Sequence, residues 1–149
     1  PPLRTQADVM ALREGLADGT IDIVATDHAP HPAESKECEW QYAAFGMLVL
    51  ETALPILWQT MIESKMMDIA TLQARMSTAP AQIGRYHRQG QALTKGAPAN
   101  LTLFAPNKSW KVDRDLVASK SKNTPFHGME FGGSVVATFF EGRESWRAK

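Results

Sequence analysis

The sequence predicts an α/β fold over residues 1–89 that changes to β structure from Gly90, and three observations carry the prediction. A capped helical pattern leads through a short link into the apolar, β-branched run Ile21-Asp22-Ile23-Val24-Ala25-Thr26, and helix followed at once by buried strand is the rhythm of α/β proteins. Helical spacing then recurs to about Tyr86. Beyond Gly90 it gives way to short alternating segments separated by polar, turn-rich stretches.

The first helix is expected from about Gln6 to Ala17. Thr5 with Asp8 three residues on has the form of a capping box, Val9, Leu12 and Leu16 share one face, and Gly19 suits the left-handed position that ends a helix. Ile21–Thr26 follows as a buried strand. Pro32 to Glu39 is polar and without periodicity, so it reads as a surface loop or lid over the strand end, closed by Phe45-Gly46. The apolar stretch from Met47 to Ile62 is long enough for a helix of about four turns, which Pro55 should kink or divide. Asp68 can cap a further helix through Leu72 and Met76, Thr78-Ala79-Pro80 marks a break, and a short helix runs on to about Tyr86. The Met and Trp residues of 47–67 are assigned to the core. In the β part, strands are expected at Ala99–Phe104, Trp110–Val112 and Gly133–Glu141 before the turn at Gly142, with Ser119–Gly128 an extended loop. So few short strands need something to pack on, so they are expected to belong to a small sheet domain completed by strands outside this chain.

Composition limits the function. The chain has 149 residues, enough for one domain with a real core, since a chain of that size buries roughly 70% of its unfolded surface. It is short of the ~250 residues of a whole (β/α)8 barrel. Sixteen basic residues balance sixteen acidic ones, so no charge field draws nucleic acid or an anionic membrane, and neither is expected as a partner. The single Cys38 excludes an intramolecular disulfide and a Cys-rich zinc site, which fits a reducing, cytoplasmic setting. There is no run of ~18 apolar residues and no basic-then-apolar signal at Pro1-Pro2-Leu3-Arg4. A start on Pro-Pro rather than Met sets the expectation that translation began upstream.

The chemistry concentrates where the apolar run ends in Asp27, His28 and His31. In α/β barrels catalytic groups sit where strands end and loops begin. A carboxylate there serves as metal ligand or base, and imidazoles one and four residues on serve as ligands or substrate contacts. Each also has a structural reading, since a histidine after a strand often does no more than bond a backbone carbonyl. Asp27 is the least easily dismissed, because a carboxylate at the end of a buried strand costs desolvation energy unless a cation or several donors meet it. Cys38 lies between Glu37 and Glu39, whose charges disfavour a thiolate, and reads as a bystander. His87, between Arg85 and Arg88 across Tyr86 and near a helix end, is explained by the last carbonyls of that helix. The residues around His127 leave its role open. No Gly-rich phosphate loop or serine nucleophile elbow is present.

Four segments in order, Pro1-Pro2-Leu3-Arg4, Asp22 to His31, Phe45-Gly46 with Leu50-Glu51-Thr52-Ala53-Leu54-Pro55, and Ser119-Lys120-Ser121-Lys122-Asn123-Thr124-Pro125-Phe126, resemble the C-terminal third of the bacterial-type (class I) dihydroorotases of the amidohydrolase superfamily. The resemblance covers essentially the whole chain. It implies a zinc-dependent (β/α)8-barrel hydrolase interconverting dihydroorotate and N-carbamoyl-aspartate in pyrimidine synthesis. Residues 1–89 would then be the C-terminal part of the barrel, with Ile21–Thr26 its last strand, and 90–149 the C-terminal part of a small β-sandwich domain. By the same resemblance Asp27 is catalytic, binding metal and acting as general base, while His31, Phe45 and Gly46 bind substrate. His28 supports Asp27 from behind.

The cofactor implied is zinc, one or two ions, whose other ligands (a His-x-His pair, a bridging carboxylate or carboxylated lysine, two later histidines) would lie upstream of Pro1, as would an asparagine preceding Pro-Pro-Leu-Arg. A catalytic zinc needs three or more protein ligands, so the isolated chain is expected to be inactive. Partners implied are the small-molecule substrate, a second copy of the chain, and aspartate transcarbamoylase, with which some members associate. A non-catalytic dihydroorotase-like partner subunit and another cyclic amidohydrolase, a hydantoinase or allantoinase, stay open as alternatives.

Overall fold

The first helix begins as its residues dictate. In the computed structural model, which describes residues 4–148, helix α1 spans Gln6–Asp18 with both arms of the Thr5/Asp8 capping box formed. Gly19 closes it in the left-handed region at φ 97°. Leu16 is buried, but Leu12 on the same face is 60% exposed, so the expected apolar stripe is only partly covered. The last turn is held by Arg75, whose Nε donates to the Leu16 carbonyl at 3.1 Å.

Residues 21–26 form no strand ladder and none of them is buried, which corrects the expected buried strand. The physical reason is local: no other described segment lies alongside to exchange ladder hydrogen bonds. Ile21 N donates to Gly15 O, and Val24 N donates to the Arg75 carbonyl at 3.2 Å. The run is thus clamped between α1 and the segment around Arg75. The first sheet-like contact comes at its end, where His28 and Met47 form a single parallel bridge.

The loop that follows contains two short 3-10 turns, Ala33–Ser35 and Trp40–Tyr42. Helix α2 starts at Ala53, later than the apolar pattern suggests, runs as α-helix to Leu57 and continues as a wider π-helical stretch over Trp58–Glu63. Pro55 does not divide it. As the third residue it lies in the first turn, where the missing N–H has no intrahelical partner to lose. Asp68 caps α3 (Ile69–Gln73) as expected, accepting from Thr71 N at 2.7 Å. The anticipated break at Thr78-Ala79-Pro80 is instead a change of hydrogen-bonding pattern. A π-helical stretch, Ala74–Thr78, passes directly into α4 (Ala79–Ile83), with Thr78 and Ala79 both in right-handed helical geometry.

The C-terminal part builds a three-stranded antiparallel sheet in the order β1-β4-β5, from β1 (Leu101–Ala105), β4 (Ser134–Phe140) and β5 (Arg143–Arg147). A two-stranded ribbon pairs β2 (Trp110–Lys111) with β3 (Glu130–Phe131). Residues 119–128 contain no helix. Glu141 and Gly142 link β4 to β5, both at positive φ, 49° and 80°, the geometry a tight two-residue hairpin loop requires.

The two parts meet at Phe104. Its ring packs on Trp58 with centroids 5.0 Å apart. A Cβ on Gly133 would collide with the Phe104 ring, so the ring lies on bare backbone. Leu48, Met61, Leu72, Val112, Phe131 and Ala137 are among the buried apolar residues. Trp58, Met66 and Met67 are half-buried, and Met47, assigned to the core by sequence, is 41% exposed.

Candidate active site

The corner at the end of the apolar run is assembled from three separated segments. Asp27 stands at φ 46°, a left-handed conformation that a non-glycine residue adopts at a cost and that aspartate tolerates better than most. Its side chain is exposed, and no hydrogen bond or ion pair engages it among the described residues. The expected desolvation penalty is therefore absent in this chain, and the carboxylate faces outward without a partner.

His28 is turned to other work than orienting Asp27. Its Nδ1 accepts from Val49 N at 3.0 Å and from Leu50 N at 3.3 Å. Two amides donating to Nδ1 place the ring proton on Nε2. The imidazole therefore holds the approach to α2, and no hydrogen bond joins it to Asp27 among the described residues.

His31 and Gly46 are brought together. Gly46 lies at φ 118°, and a Cβ built there would stand 2.5 Å from the Ala29 Cβ and 3.2 Å from His31 Nε2. Glycine is required on both counts, conformation and room. Ala29 N donates to Met47 O at 3.0 Å, and Lys36 Nζ donates to Ala44 O at 2.7 Å and Gly46 O at 3.2 Å. Phe45, next in line, projects its ring into solvent, 88% exposed.

The residue that sequence reasoning passed over is Asn123. Its Nδ2 donates to Ala29 O at 2.8 Å and Gly46 O at 3.4 Å, and its Oδ1 accepts from His31 N at 3.2 Å. The only signal for it was its place in the Ser119–Phe126 run. Glu51, in the Leu50–Pro55 segment, accepts from Ala118 N at 3.0 Å and so tethers that loop to the start of α2.

The weaker candidates lie elsewhere. Cys38 is exposed and 3.9 Å from the Ser35 carbonyl. His87 is exposed on the stretch after α4, four residues past its last residue, Ile83. His127 accepts from Arg114 N at 3.1 Å and stands 3.9 Å from Asp113 Oδ1, fixing a turn in the β part. Of the Pro1-Pro2-Leu3-Arg4 segment, only Arg4 falls within the described residues.

The donor set decides what a metal could find here. Among the described residues no three His, Cys, Asp or Glu side chains converge. With His28 Nδ1 occupied, Asp27 is a single carboxylate at the corner, and one carboxylate does not make a catalytic zinc site. The residues present do not by themselves fit the metal.

An α/β part whose chemistry sits on the loops after an apolar run, joined to a small antiparallel sheet, has a counterpart among known proteins. The chain belongs to the amidohydrolase family, whose sequence pattern matches residues 2–144. It is similar to the dihydroorotase of Streptomyces coelicolor, 53% identical over 143 residues that cover 96% of this chain and 33% of that protein. The dihydroorotase of Mycobacterium tuberculosis is 45% identical over 147 residues, 99% of this chain and 34% of that protein. Among solved structures, the L-hydantoinase (dihydropyrimidinase) of Arthrobacter aurescens superposes with a TM-score of 0.89 at 32% identity, over 99% of this chain and 33% of that one. The chain thus spans about a third of the length of these relatives.

Proposed function

We propose that this chain is the C-terminal portion of a zinc-dependent dihydroorotase, contributing a proton acceptor and one wall of the substrate site. The observation that carries the reading is the corner itself: an unengaged Asp27 carboxylate at positive φ beside a His31/Gly46 wall with no room for a side chain on Gly46. The curated relatives named dihydroorotase, at 53% and 45% identity, support the choice of substrate.

In this reading residues 1–89 are the end of a (β/α)8 barrel and 90–149 part of its companion β domain. Asp27 accepts the proton of the water that attacks the ring amide of dihydroorotate. A carboxylate without internal hydrogen bonds is available for that transfer, and it would also serve as one ligand to the metal. His31 and the Phe45-Gly46 backbone hold the substrate, with His31 directed at its carboxylate. Zinc, held mainly by residues outside this chain, would supply an activated water near neutral pH and polarise the carbonyl. Isolated from those residues, the chain neither holds the ion nor turns over substrate. A setting in the cytoplasm and in pyrimidine synthesis goes with this reading. Among the described residues no helix is long and apolar enough to cross a membrane.

The hydantoinase neighbours give a second reading, another cyclic amidohydrolase on the same fold. Steady-state turnover of dihydroorotate, hydantoin and allantoin by the full-length protein separates the two. Preference for dihydroorotate is expected, and a higher kcat/KM for hydantoin or allantoin would transfer the assignment. No turnover of any of the three would favour a non-catalytic partner subunit, such as one bound to aspartate transcarbamoylase.

A further inference from the structure

We infer that Asn123 is a positioning residue that sets the substrate wall, an inference that rests on the reading of His31 and Gly46 as that wall. Asn123 lies 92 residues from His31 in sequence, in a loop of the β part. Its carboxamide nonetheless takes the place that a neighbouring strand would fill. Ala29 O and His31 N flank Pro30, and a strand partner would donate to the first and accept from the second. Asn123 does both through one side chain, at 2.8 and 3.2 Å.

The same Nδ2 reaches Gly46 O at 3.4 Å, and the backbone carbonyl of Asn123 accepts from Leu48 N at 3.1 Å. One residue therefore fixes both halves of the wall relative to each other. The wall has no slack, since a Cβ on Gly46 would already crowd Ala29 and His31. Asn123 makes no hydrogen bond to Asp27. Its loss should consequently displace the substrate contacts and leave the proton acceptor in place. Small displacements of positioning groups cost large factors in rate or binding.

The test is steady-state kinetics on the full-length, zinc-loaded protein with Asn123→Asp and Asn123→Ser. The aspartate turns the two donated bonds into carboxylate–carbonyl repulsion, and the serine is too short to span both carbonyls. The expected result is a KM for dihydroorotate raised by about tenfold or more, with kcat within about threefold of the parent and an unchanged pH profile of kcat. An unchanged KM in either folded variant overturns the inference, as does a kcat that falls in step with the folded fraction measured by circular dichroism. Failure of both variants to fold also overturns it, by making Asn123 a requirement of folding alone. If the unsubstituted protein does not hydrolyse dihydroorotate, the functional reading has failed first, and that outcome is seen before any variant is compared.

Discussion

Asp27, His31 and Gly46 draw their meaning from different physical causes, and each can be altered alone. Asp27→Asn in the full-length protein keeps the size and the tolerance for positive φ but cannot accept a proton. We expect kcat to fall by about 10²–10⁴-fold with thermal stability nearly unchanged, the usual reach of a general base; loss of less than tenfold in steady-state assays would remove Asp27 from that role. Gly46→Ala adds a methyl group at φ 118° and within 2.5 Å of the Ala29 Cβ. Destabilisation above about 1 kcal/mol by urea unfolding, with weakened substrate binding, is expected. At this scale the sequence was informative where chemistry is carried by residue type. Asp27, His28 and His31 stand out after an apolar run, whereas Asn123 is one polar residue in a polar loop. Its side-chain bonds join positions 77 to 94 apart, and no local pattern announces a contact of that range. The partner of His28 was likewise invisible, because the Val49 and Leu50 amides come from another segment.

Helix ends were legible because their signals are local. The Thr5/Asp8 box, Gly19 and Asp68 all act within four residues of themselves. Their carboxylates also predict a pH response. Hydrogen bonds from the Thr5 side chain and backbone hold Asp8 below the ordinary carboxylate range, that from Thr20 N does so for Asp18, and that from Thr71 N for Asp68. A depressed folded pKa gives stabilisation that is complete above the ordinary carboxylate value and is lost as pH falls through the lower, folded one. Asp68→Asn keeps a capping oxygen but does not titrate, so the acid limb of a thermal-stability profile should flatten below about pH 4; an identical limb would show that this cap does not contribute. Packing predictions belong to this scale too. Met61, 1% exposed in the π-helical continuation of α2, should cost about 2–5 kcal/mol on truncation to alanine by urea unfolding. Strand β5 carries no signature in the sequence, because Arg-Glu-Ser-Trp-Arg is exposed throughout and shows no apolar alternation. The run 21–26 is the opposite case. Its composition is that of a buried strand, but ladder bonds need a neighbour, and none of the described segments supplies one.

Taken whole, the molecule is a part of an amidohydrolase fold with surfaces that look unfinished in isolation. Leu12 on α1, Trp40, Tyr42 and Phe45 on the loop, and Leu50 before α2 are largely exposed, and the 21–26 run pairs with no strand among the described residues, a condition that sheet proteins ordinarily avoid. The proposed division of labour follows: one wall and one base here, the remaining metal ligands in the two-thirds of the relatives' length that this chain does not span. The most direct test is to measure zinc content and dihydroorotate hydrolysis for the 149-residue chain alone and for the same chain supplied with, or fused to, the remaining part of the full-length protein. The account predicts neither stoichiometric zinc nor turnover for the chain alone and both for the completed protein. Zinc-dependent turnover by the 149 residues alone, or a completed protein that binds zinc and leaves dihydroorotate untouched, would contradict it.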